Sequence, residues 1–127
     1  MNWDALAELF TEDAGYIEPA WGRFKGRESI RRFLRDSMQG LQDWKSPTHW
    51  CVIETNRVVR NFRNQLPGRR PDGTCYEVPG VSALEYGGGS EFSFEENTIN
   101  MVHLFEILQE SGWVPEKVVR QRGATKK

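Results

Sequence analysis

The stretch GVSALEYGGGSEFSFEENTINM, Gly80 to Met101, decides how the chain folds. Two runs of strand-forming residues flank Gly87-Gly88-Gly89-Ser90. Glycine reaches positive φ at no steric cost, so this tetrapeptide closes a hairpin. The second run stops at Asn100, whose side chain suits the capping position of a helix. Met101, Leu104, Phe105 and Leu108 then form an apolar stripe that ends at Gly112.

Upstream of this stretch the same period continues. TCYEVPGVSALEY reads as one strand, with Pro79-Gly80 predicting a bulge or bend. Pro71-Asp72-Gly73 forms the tip of the turn before it. HWCVIET and RVVRNFRNQL read as strand, with a turn or bulge near Asn56. Towards the N-terminus the period becomes helical. GRESIRRFLRDSM places Ile30, Phe33, Leu34, Ser37 and Met38 on one face and its arginines on the other. Ahead of it, AGYIEP is a short strand stopped by Pro19, followed by a loop through Trp21 and Gly22. A first helix is predicted from Asn2 through the stripe Leu6, Leu9 and Phe10. Early helices and consecutive hairpin-connected strands predict an α+β plan: a curved antiparallel or mixed sheet with helices on one face. Such a sheet encloses a concave, cone-shaped space, the usual place for a ligand.

The chain has 127 residues, enough for one domain, spanning 1–127 with a mobile tail expected from about residue 114. Its net charge of −1 gives no overall field to attract nucleic acid or an anionic membrane, and neither is expected as a partner. No apolar run is long enough for a transmembrane helix, and the opening residues lack the pattern of a secretory signal. A cytoplasmic location is the expectation. Cys51 and Cys75 are too few for a disulfide framework and read as small, reduced, partly buried residues. His49 and His103 lie far apart, with no CxxC or HExxH, so no metal site is expected. No cofactor motif such as GxGxxG or a phosphate loop occurs, so no cofactor is expected.

LAELFTEDAGYIEP, GRFKGRESIRRFL and GVSALEYGGGSEFSFEENTINM together resemble the nuclear transport factor 2-like superfamily in its SnoaL-like branch. The resemblance covers most of the chain and implies a cystatin-like α+β roll. It implies no single activity, because the superfamily includes isomerases, epoxide hydrolases, dehydratases, polyketide cyclases and binding modules. Relatives begin with a longer helix, so the first helix here is shortened. The pocket is then open, or a partner covers it, or the natural start lies upstream.

The resemblance also implies site residues. YIEP is similar to the segment of ketosteroid isomerase that carries its general base before a proline, which puts Glu18 in that role. The partner position in the oxyanion hole falls on Val81. Limonene-epoxide hydrolase is similar at Tyr16 and Glu18, where it holds its water, while its Arg-x-Asp pair falls on Val59 and Asn61 and its second aspartate on Asn97. An amide can orient a water but cannot take its proton, so the epoxide-opening machinery is not carried over.

Glu18, Tyr16 and Asn97 are thus the predicted catalytic residues. Asn61, Trp21, Val59, Val81, Glu95 and His103 are predicted to line the ligand space. Strand alternation groups Phe92, Phe94, Glu96 and Thr98 on one face and Ser93, Glu95, Asn97 and Ile99 on the other. Burial of the phenylalanines would put Glu96 inside, whereas the resemblance turns Asn97 inward. Both hold if a second subunit covers the phenylalanine face, which predicts a homodimer through the sheet. The expected ligand is a small apolar molecule. The expected chemistry is cofactor-free acid–base isomerisation, dehydration or cyclisation, and the alternative is a non-catalytic binding or assembly domain of the same fold.

Overall fold

The computed structural model describes residues 2–114. The tail expected from about residue 114 therefore lies almost wholly outside the described residues.

Among the described residues, three helices and six strands follow in the order α1 (Trp3–Ala7), β1 (Phe10–Glu18), β2 (Gly22–Lys25), α2 (Arg27–Ser37), β3 (Thr48–Glu54), β4 (Arg57–Arg69), β5 (Cys75–Gly88), β6 (Glu91–Ile99) and α3 (Met101–Ser111). The strands form one open sheet in the order β2-β1-β6-β5-β4-β3. Every neighbouring pair is antiparallel except β1 and β6. The fold is α+β, with the helices packed on one face of a mixed sheet.

Local chemistry sets most boundaries. The Asn2 side chain accepts a hydrogen bond from Ala5 N at 3.1 Å, and that of Asn100 accepts one from His103 N at 3.1 Å. Caps of this kind contribute ~1 kcal/mol each. The β4–β5 turn is tied by Asp72, whose Oδ1 accepts from Thr74 N at 2.9 Å. Gly88, Gly89 and Ser90 all adopt positive φ at the β5–β6 turn. Gly112 closes α3 in the left-handed conformation.

Several expectations needed correction. The first helix ends at Ala7, and Phe10 opens β1. As a strand residue Phe10 reaches the core at 3% exposure, and Phe92 N donates to Leu9 O at 2.7 Å. The loop after Trp21 is the strand β2, which pairs with β1 from Gly15↔Lys25 to Glu18↔Gly22. Pro79-Gly80 is no bulge, since the β4–β5 register runs unbroken through Arg63↔Pro79 and Phe62↔Gly80. Gly80 is needed there because the Phe62 ring lies over it, and an added Cβ would sit 2.4 Å from that ring. In α3 the buried residue is Ile107, while Phe105 faces solvent. Cys51 is exposed on the edge strand β3.

Two apolar clusters hold the helices to the sheet. Ala7, Phe10, Ala14, Tyr16, Ile30, Phe33 and Leu34 join α1 and α2 to β1. Leu66, Val78 and Ile107 join α3 to β4 and β5, with Trp44 and Trp113 packed edge to face at 5.0 Å. Both clusters lie on the same side of the sheet, which we call the inner face. The inner face carries the even-numbered residues of β1, β4 and β5. On β6 it carries Glu95, Asn97 and Ile99, because Tyr16 pairs with Glu95 and Ser82 with Asn97. The β5–β6 register shifts between Glu85↔Phe94 and Tyr86↔Phe92. That irregularity separates the two phenylalanines: Phe92 packs against the inner core, while Phe94 lies beside Gly15 on the other face.

Candidate functional site

Three strands bring a polar group into the apolar inner core. Tyr16 stands on β1, Glu95 and Asn97 on β6, and Ser82 on β5. A parallel register places Tyr16 beside Glu95, and an antiparallel one places Ser82 opposite Asn97. Residues two apart on a strand share a face, so all four side chains converge. Tyr16 is 6% exposed and Ser82 4%. The Tyr16 ring packs between Phe10, at 5.8 Å, and Phe33, at 5.1 Å.

The hydrogen bonds run in one direction. Ser82 Oγ donates to Asn97 Oδ1 at 2.6 Å, and Asn97 Nδ2 donates to the Tyr16 hydroxyl at 2.7 Å. The Glu95 carboxyl is the neighbour of both groups, paired with Tyr16 across β1 and β6 and two residues from Asn97 on the same face. The chain ends on the Tyr16 hydroxyl, beside Glu95. Burial pushes the Glu95 carboxyl up from the ordinary glutamate value, against the pull of the neighbouring Tyr16 and Asn97 side chains and of the Arg60 charge. Burial, then the neighbouring Glu95 charge, pushes the Tyr16 phenol far up, so it stays a donor at all ordinary pH. A half-buried carboxyl with a raised pKa beside a fixed phenol and amide can serve in proton transfer.

The other predicted residues lie elsewhere. Glu18 sits two residues beyond Tyr16 at the rim of the inner face, and its Oε2 accepts from Ala20 N at 2.7 Å and Trp21 N at 2.6 Å. Its carboxylate holds the β1–β2 turn. Trp21 is 58% exposed and touches Phe33 edge to face. Val59, Asn61 and Val81 are odd-numbered residues of β4 and β5, and Asn61 pairs with Val81, which pairs with Thr98. They occupy the outer face, across the sheet from Tyr16 and Asn97, and the expected grouping is corrected on that ground. His103 stands in the first turn of α3, half-buried, with its backbone N–H on the Asn100 cap.

Arg60 escaped the sequence reading. It pairs with Ser82 across β4 and β5, so it shares the inner face. Its guanidinium lies 4.8 Å from the centre of the Phe62 ring and donates to Thr48 Oγ1 at 2.6 Å and to Ser46. The signal for it was parity: counting from Asn97 through the hairpin register reaches Ser82 and then Arg60. Two clefts of about 380 and 500 Å³ lie away from this group, one around Lys45, Gln65 and Cys75 and one around Lys25, Gly26 and Arg32.

A sequence model of the SnoaL-like domain matches residues 1–90. The chain belongs to the SnoaL-like domain family. Solved structures agree with this SnoaL-like fold. A protein of ketosteroid isomerase-like fold from Catenulispora acidiphila, in complex with trimethylamine, is 22% identical, with 91% of this chain and 88% of that one covered and a TM-score of 0.66. A protein assigned as a SnoaL-like polyketide cyclase from Shewanella putrefaciens is 16% identical, with 85% and 75% covered and a TM-score of 0.68. TerC, co-crystallised with polyporic acid, is 14% identical, with 85% and 86% covered and a TM-score of 0.65. These identities carry the fold alone. No curated protein matches the sequence. No helix among the described residues is long and apolar enough to cross a membrane.

Proposed function

We propose that this SnoaL-like chain binds a small, largely apolar molecule on its inner face and performs cofactor-free acid–base chemistry on it. The reaction class would be isomerisation, dehydration or cyclisation. Glu95 takes and returns the proton, Tyr16 and Asn97 fix its carboxyl, and Ser82 orients Asn97. The observation that carries this reading is the half-buried, upward-shifted Glu95 carboxyl beside the Ser82–Asn97–Tyr16 hydrogen-bond chain. It moves the role of base from Glu18, whose carboxylate is occupied by backbone N–H groups of a turn. Fold relatives crystallised with trimethylamine and with polyporic acid are consistent with small-molecule binding. The test compares Glu95→Gln with Glu18→Gln on a substrate found by screening ring ketones and hydroxy-ketones. Turnover is lost in the first and kept in the second; the reverse result would return the role to Glu18.

One observation favours a second reading, a binding domain without catalysis. Ser82, Asn97 and Tyr16 satisfy one another's hydrogen bonds within the protein, so the group also works as a buried polar brace. Under that reading Glu95→Gln lowers affinity or stability and no turnover is found for the wild type. The homodimer is proposed through the outer face, where Trp50, Val52 and Phe94 have no helix against them. Light scattering at micromolar concentration should give twice the chain mass; a monomer would remove this assembly.

A further inference from the structure

The inner face is only partly roofed. α1 and α2 cover its β1 end, and α3 covers β4 and β5 around Leu66 and Val78. Between them lies a row set by register alone: Tyr16 beside Glu95, then Leu84, Val58 and Ile53. Leu84, Val58 and Ile53 belong to neither core cluster, and Ile53 is 71% exposed. The next row on the same face runs Asn97, Ser82, Arg60 and Cys51. The uncovered surface is thus an apolar floor with an acid at one end and a cation along its side.

The Arg60 cation is fixed but not neutralised. Its partners are the neutral Thr48 and Ser46 and the face of Phe62, and among the described residues it has no carboxylate within ion-pair distance. It is therefore able to take an anion or a polarised carbonyl oxygen from a molecule lying on the floor. Glu95 and Arg60 are two strands and two residues apart, a Cα separation of about 12 Å at ~4.8 Å per strand and ~3.3 Å per residue. The Arg60 guanidinium is held on the β3 side by Thr48 and Ser46, so the span between the two groups has room for one or two fused rings.

We propose that Arg60 is a specificity residue that anchors an oxyanion-bearing ring compound, a carboxylate, phenolate or enolate, across the Leu84–Val58–Ile53 floor with its far end at Glu95. This rests on the reading that the inner face binds small molecules. It goes further by fixing the ligand's polarity and orientation.

The test uses the whole chain and two probes of equal shape, 2-naphthoate and 2-methylnaphthalene, with binding followed by backbone amide shifts. The wild type should prefer naphthoate by about tenfold, the scale of one charge-assisted contact. Arg60→Gln should erase that preference and leave methylnaphthalene binding unchanged, while Arg60→Lys should keep most of it. Should Arg60→Gln not fold, the wild type supplies the second measurement, since added salt should weaken naphthoate and not methylnaphthalene. Equal binding of both probes by the wild type, or a preference that survives Arg60→Gln or is insensitive to salt, overturns the role of Arg60 and leaves the binding face intact. Shifts elsewhere than Leu84, Val58, Ile53 and Glu95, or no binding of either probe, overturns the binding face as well.

Discussion

Glu95 and Glu96 are consecutive residues of one strand, yet they meet opposite environments. Glu95 faces the helices and joins Tyr16 and Asn97, while Glu96 pairs with Ala83 on the outer face and is exposed. Glu18 makes a third case: it shares the inner face with Tyr16, but at its rim, and serves a turn. Three identical side chains therefore meet three different environments. Chemistry of the residue did not separate them; register and depth did.

The largest expected effect comes from cutting the inner network. Asn97→Leu leaves the Ser82 hydroxyl and the Tyr16 hydroxyl short of partners in a buried place, and should lower stability by about 2–3 kcal/mol in chemical unfolding. A loss below about 0.5 kcal/mol would mean that the group is not a buried network. The two faces can also be compared through their glycines. Gly80→Ala drives a methyl into the Phe62 ring on the inner face and should lower stability by about 1–3 kcal/mol. Gly15→Ala meets Phe94 on the outer face at 3.2 Å, a contact that a small shift of that ring relieves, so its effect should be the smaller. The opposite order in thermal melts would invert the assignment of the faces.

The third comparison uses pH. The folded-state pKa of Glu95 is raised, so the folded chain holds this proton more tightly than the unfolded one. Stability from this group is full below the ordinary glutamate pKa of about 4.5 and falls as pH rises through the folded value. Glu95→Gln removes that dependence, and its stability relative to wild type should improve between acid and neutral pH. A difference that is flat with pH would break the claim. The smallest effects belong to the carboxylates outside the Ser82–Asn97–Tyr16 group. Glu18→Gln keeps an acceptor for the turn and should change stability by no more than about 1 kcal/mol, and Glu96→Gln by no more than about 0.5 kcal/mol.

Much of this architecture was legible because turns and caps are written in single residues. Asn2, Asn100, Gly112, the Pro71-Asp72-Gly73 tip and the Gly87–Ser90 hairpin stand where the sequence places them. The elements that escaped were those decided by distant partners. β2 is four residues long, too short for alternation to show, and exists because β1 offers it an edge. The first helix was read too long because Leu6 and Leu9 keep helical spacing while Phe10 answers to β6. Of the residues the sequence singles out, Tyr16 and Asn97 are brought together by a hydrogen bond. Val59, Asn61 and Val81 were placed one parity wrong, and Arg60 was passed over for the same reason. A one-residue offset in a strand moves a side chain through the sheet, and no local signal corrects it.

The central claim is that Glu95, not Glu18, is the carboxyl set aside for chemistry. Side-chain carboxyl NMR through an acid-to-neutral titration tests it directly, with Glu95→Gln and Glu18→Gln assigning the two signals. Glu95 should titrate above the ordinary glutamate value, and its midpoint should move when Asn97 is replaced. A Glu95 carboxyl that titrates at or below that value, indifferent to Asn97, would contradict it.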